Sequence, residues 1–124
     1  MDQQQATAWF STLSLADKTA ALLIVMFSFT LTVRDLKFQF SGDCEQRWNL
    51  AYHLSEINHA LTSAAWAHAE NRSTYSDGDL MAIIFQQDRY PELAAECAAA
   101  VMLAHDRIGN RVERLRGSLP NSSA

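Results

Sequence analysis

Thr19-Ala20-Ala21-Leu22-Leu23-Ile24-Val25-Met26-Phe27-Ser28-Phe29-Thr30-Leu31-Thr32-Val33 carries no charge, and Lys18 and Arg34 close it at its two ends. A bilayer-crossing helix needs about 20 predominantly apolar residues. This run is shorter, and Ser28, Thr30 and Thr32 interrupt it. It therefore reads as the buried core helix of a globular protein, with no membrane as partner. The N-terminus, Met1-Asp2-Gln3-Gln4-Gln5, is acidic and Gln-rich, unlike the basic start of a secretory signal. The expected location is cytoplasmic.

The rest of the chain follows outward from that helix. Ser14-Leu15-Ala16-Asp17 offers an N-cap with an acid three residues on, so the helix should begin there and run to about Phe40. Ser41-Gly42-Asp43 then breaks it. Before it, Gln3 to Phe10 suits one or two helical turns, with Trp9 and Phe10 folding back on the bundle. Asp43 can cap the next helix, with Cys44, Glu45 and Gln46 in its first turn. Leu50, Leu54, Ile57, Leu61 and Ala64 carry the helical period as far as about Glu70. Asn71 to Ser76 is a polar loop. Ser76 or Asp77 caps a shorter helix over Gly78 to Gln87. Pro91 fits the first position of a last helix, whose stripe is Leu93, Cys97, Val101, Ala104, Ile108, Val112 and Leu115. Its alanines at 94, 95, 98, 99 and 100 allow close helix contact, and Gly117 ends it. No alternation of period two argues for a strand. The fold class is all-α: a four-helix antiparallel bundle over residues 1–117 with a short N-terminal helical segment, and a flexible tail at 118–124.

Composition narrows the function classes. The chain has 124 residues, 48% hydrophobic and 19% charged, which suits one globular domain. Four Gly and two Pro favour long helices over many turns. A net charge of −4 argues against nucleic acid as a partner, because phosphate contacts need clustered Lys and Arg. Arg107, Arg111, Arg114 and Arg116 do gather at the end of the last helix, where they suit its C-terminal dipole. Cys44 and Cys97 have no metal-ligand spacing and read as reduced thiols. No Gly-rich phosphate loop and no Ser, His and Asp grouping is present.

The remaining candidates are polar residues inside apolar helices. At 100° per residue, Thr30 and Arg34 share a face with Leu23 and Phe27, a face expected to look inward. On the next helix Tyr52, Glu56, His59 and Ser63 form one line, with Trp48 and Trp66 at its ends. Antiparallel packing would bring these lines together. Arg34 would pair with Glu56 through its planar fork, beside His59. Such a cluster is either a buried clasp that fixes helix register or a pocket for a small anion or polar ligand, lined by Thr30, Arg34, Tyr52, Glu56 and His59. Glu56-Ile57-Asn58-His59 also has the Glu-x-x-His spacing of di-iron bundles. Those sites need two such units and more carboxylates. A symmetric dimer would have to supply the second unit, with Glu92, Glu96 or Asp35 as further ligands. The nearby Arg opposes a cation, so no metal and no cofactor is expected. His53, His68 and His105 are expected at a helix flank, a polar helix end and an exposed tract.

Phe29-Thr30-Leu31-Thr32-Val33-Arg34, followed by Ser55-Glu56-Ile57-Asn58-His59, resembles a family of small, uncharacterised all-α bacterial proteins. Its pattern is Leu/Phe-Thr-x-x-x-Arg late in a first long helix and Asn-Glu-x-x-His in the next; here Ser55 stands in place of Asn. The likeness covers Ala21 to Thr62. It implies that Thr30, Arg34, Glu56 and His59 belong together, and it implies no activity.

Together these readings point to a non-enzymatic helical bundle of bacterial or phage type. It would act through protein–protein contact as a regulator, adaptor or inhibitor, as a homodimer with a further protein partner. Trp9, Phe10, Phe38 and Phe40 are the interface residues this reading suggests. One alternative is a ligand- or metal-binding bundle, possibly enzymatic, centred on the polar cluster, and another is membrane association through the Thr19–Val33 helix.

Overall fold

The computed structural model describes residues 1–38, 45–70, 72, 75–85 and 91–118, with side chains at all of these except 37, 38, 92 and 110–118. The described residues are helical almost throughout, with no strand among them: α1 (Gln3–Ser11), α2 (Leu15–Phe38), α3 (Glu45–Ala69), α4 (Asp77–Phe85) and α5 (Ala94–Ser118). A single 3-10 turn, Pro91–Leu93, leads into α5. Pro91 thus opens a tighter turn in place of the first α-turn expected of it. The expected helix ends at Phe40 and Gln87 lie outside the described residues, as does Cys44.

Local chemistry sets the helix starts. Asp2 accepts from the amide of Gln5, and the Gln5 side chain accepts from the Asp2 amide, a reciprocal capping box. Ser14 Oγ accepts from the Asp17 amide at the head of α2. Ser76 Oγ accepts from the Asp79 amide at the head of α4. Each bond satisfies a first-turn N–H that no helical carbonyl can reach.

The central layer is the antiparallel pair α2 and α3, with α5 packed along α2 and the short helices α1 and α4 packed on each other. From α2 the core takes Ala21, Leu22, Val25 and Phe29. From α3 it takes Leu54, Ile57, Leu61, Ala64 and Ala65, and from α5 Cys97, Ala100, Val101, Ala104 and Ile108. Ala6 and Phe10 of α1, Leu80, Met81, Ile84 and Phe85 of α4, and Leu93 complete it. Leu15–Leu36 is long and apolar enough to cross a membrane by length and composition alone, with a mean hydropathy of 1.6. In this fold one side of that helix is core. Its other side, with Leu23 and Phe27, is exposed.

Candidate functional site

The helical lines drawn through the sequence exist, but they point the other way. Leu23, Phe27, Thr30, Leu31 and Arg34 of α2 are all exposed. So are Trp48, Tyr52, Ser55, Glu56, His59, Thr62, Ser63 and Trp66 of α3. The buried stripe of α2 runs through Leu22, Val25 and Phe29, on the opposite side from Phe27. In α3 the buried stripe is His53, Leu54, Ile57, Leu61, Ala64 and His68. Tyr52, Glu56 and His59 are half a turn away from it. The expectation of an inward-looking polar face is thereby corrected. The uncharged run of α2 has enough apolar residues for two faces, and periodicity cannot say which of them meets the core.

The expected Arg34–Glu56 pair does not form within the chain. The Arg34 side chain is 73% exposed and lies 3.8 Å from Asp35. An exposed contact of that length contributes almost nothing. The clasp that does join the two helices is made by Asn58. Its Nδ2 donates to the Met26 carbonyl at 3.1 Å and to Thr30 Oγ1 at 3.1 Å. Thr30 Oγ1 in turn donates to the same carbonyl at 2.9 Å. Asn58 Oδ1 is buried without a hydrogen-bond partner among the described residues, so the clasp fixes register at some cost in desolvation. Thr30 makes an interhelical polar contact, though with none of Arg34, Glu56 or His59. Its partner is Asn58, the residue between Glu56 and His59 that the spacing argument passed over.

Beside this clasp the outer face also carries a row of large apolar side chains among its polar ones. Phe27 is 56% exposed, Leu23 53%, Tyr52 62%, Trp48 49% and Trp66 65%. Thr19, Leu23 and Met26 of α2 and Thr62, Ala65, Trp66 and Ala69 of α3 line an open groove of about 260 Å³ whose exposed surface is almost wholly apolar. An aromatic stripe this exposed is unusual for an isolated soluble chain, where large contiguous apolar patches mark contact surfaces. The interface residues suggested by sequence divide differently. Phe10 is fully buried and Trp9 is partly buried against the core. The side chain of Phe38, and Phe40 altogether, lie outside the described residues.

A second polar group was not foreseen, because its members are distant in sequence. At the end of the bundle where α1, α2, α3 and α4 meet, Lys18 Nζ donates to Asp77 Oδ2 at 3.1 Å, and Ser11 Oγ donates to the same oxygen at 2.9 Å. The Lys18 ammonium stands 5.6 Å over the Phe10 ring. His68, expected at a polar edge, is buried edge-on to Phe10 with ring centroids 6.3 Å apart. Burial and, secondarily, the Lys18 charge push its pKa below the ordinary value, while Asp77 opposes them. His53, expected at a flank, is buried too. This group ties the short helices to the long ones.

The metal reading gains no ligand set. Among the described residues no three His, Cys, Asp or Glu side chains stand together. Glu56, His59, Asp35 and Glu96 are each exposed, and the Glu92 side chain lies outside the described residues. Cys97 is 2% exposed, and burial, with Glu96 adding to it, pushes its thiol up to about 11. No protein family, curated protein or solved structure matches this chain.

Proposed function

We propose that this protein acts by protein–protein contact, without chemistry of its own, and that the outer face of α2 and α3 joins two copies into a homodimer. The observation that carries the reading is the exposed row Leu23, Phe27, Tyr52 and Trp66 beside an apolar groove. The size of the face supports it. With 24 residues, α2 is about 36 Å long at 1.5 Å per residue. Two helices side by side at about 9 Å spacing give a face about 18 Å wide. That amounts to roughly 650 Å² on each copy, or about 1,300 Å² in all, within the range of specific interfaces. Large aromatic side chains are also the residues that most often dominate binding energy at interfaces.

The test is mass-resolved light scattering across micromolar concentrations, on the wild type and on Phe27→Asp. The expected result is a dimer for the wild type and a monomer of unchanged helicity for the variant. A wild-type monomer throughout would overturn the reading. Recovery of the protein only with membranes would overturn it as well, and would give the apolar side of α2 to lipid.

A further inference from the structure

We infer that the two copies meet about a two-fold axis running parallel to the helices, so that α2 lies on the partner's α3, and Arg34 pairs with the partner's Glu56 on both sides of the axis. This rests on the dimer reading above and adds its register.

The level of each residue along the α2–α3 pair sets the register. Asn58 bonds to Thr30, and the groove sets Thr19, Leu23 and Met26 against Thr62, Ala65, Trp66 and Ala69. Residues at the same height therefore have numbers summing to about 88, as 30 and 58 do. Arg34 is level with residue 54, which puts it two residues from Glu56, about 3 Å along the axis at 1.5 Å per residue. Leu23 is level with residue 65, beside Trp66. Both charged side chains are exposed on the outer face, and within one chain they do not meet.

Charge then selects the symmetry. From Thr19 to Arg34 the only Asp, Glu, Lys or Arg is Arg34, and from Trp48 to Ala69 the only one is Glu56. Along these two runs the face carries one fixed cation and one fixed anion, on neighbouring helices and at nearly one height, with Asp35 beside Arg34 at the end of the first run and Arg47 just before the second. A two-fold axis parallel to the helices preserves height and exchanges the helices. It brings Arg34 over the partner's Glu56 twice, and Leu23 over the partner's Trp66 twice. An axis across the helices would instead stack α2 on the partner's α2. With its centre near Thr30, it would leave Arg34 over the partner's Met26 or Phe27, with no acid opposite it, and Glu56 over the partner's His59 or the partner's Ala60, away from any Arg. Desolvating a charge without a partner is costly, so the parallel axis is the one this surface fits. The contact is isologous, as a closed dimer requires, and it makes a four-helix bundle in which every neighbouring pair is antiparallel.

Two charge reversals test it. Arg34→Glu puts two acids opposite each other in its own homodimer, and Glu56→Arg puts two bases opposite each other. Mixed together, the two variants are complementary at both contacts. Like-charge juxtaposition suppresses pairing. Each variant alone should therefore dimerise at least about ten-fold more weakly than the wild type, while an equimolar mixture, read by native mass spectrometry, should be dominated by the heterodimer. A pair formed within one chain cannot give that result, since neither variant chain contains a complementary pair. Circular dichroism on each variant checks that these exposed substitutions leave the helices intact. If the wild type dimerises but the mixture shows no excess of heterodimer, the register is overturned and the dimer stands. If the wild type is monomeric, both fall.

Discussion

Asn58, His68 and Cys97 each carry a consequence of burial that a single-residue measurement can read. Asn58→Ala removes two hydrogen bonds between α3 and α2, but also removes a buried oxygen with no partner. The two effects oppose each other, and the expected loss is about 1 kcal/mol in denaturant unfolding. A loss several times larger would mean that the clasp holds more than register. His68 has a folded pKa below its ordinary 6.5. The unfolded chain takes up this proton first, so the stability held above about pH 6.5 falls as pH drops through that value toward the folded pKa. Between about pH 7 and about pH 5.5 the melting temperature should decline, and His68→Gln should flatten that decline. A parallel decline in both proteins would assign it elsewhere. Cys97, with its thiol raised to about 11 and no exposed surface to speak of, should be inert while the chain is folded. In a Cys44→Ser background, Ellman's reagent should modify it only after denaturant is added.

At the scale of the element, the contrast between the two faces of α2 is the most direct evidence for the packing. Phe29 is fully buried and Phe27, two residues earlier, is mostly exposed. Phe29→Ala should cost about 3–5 kcal/mol through loss of burial and the cavity left behind. Phe27→Ala should change monomer stability by no more than about 0.5 kcal/mol, measured where the protein is dilute. Equal costs would place both faces inside. The same contrast explains what was legible in the sequence. The helices themselves were, because capping residues such as Ser14 and Ser76 and the apolar spacing of α3 are local signals. The membership of the polar line Tyr52, Glu56, His59 was legible too, since it follows from 100° steps. Its direction was not. In α2 the charge-free run has apolar residues on more than one side, so Phe27 and Phe29 look alike in sequence, and only contact with α3 and α5 separates them. Asn58 was hidden for the same reason, as its partner lies 28 residues away. Lys18 and Asp77, 59 residues apart, have no shared local signal at all.

The whole molecule is a bundle with a closed core and an outer α2–α3 face that leaves large apolar side chains exposed. The core draws on all five helices and holds the long pair in a defined register. That register keeps Leu23, Phe27, Tyr52 and Trp66 on one surface, with a single Arg and a single Glu among them. Burying this surface against a second copy would complete a second apolar layer, and would match the two charges without any change in the fold of either chain. Radical footprinting read by mass spectrometry, as the protein is taken from dilute to concentrated solution, tests this most directly. The account predicts that Leu23, Phe27, Tyr52 and Trp66 become protected together as concentration rises, while residues on the far side, such as Met102 and Leu103 of α5, keep a constant rate. Unchanged modification of Phe27 and Trp66 at every concentration, or protection that appears on α5 instead, would contradict it.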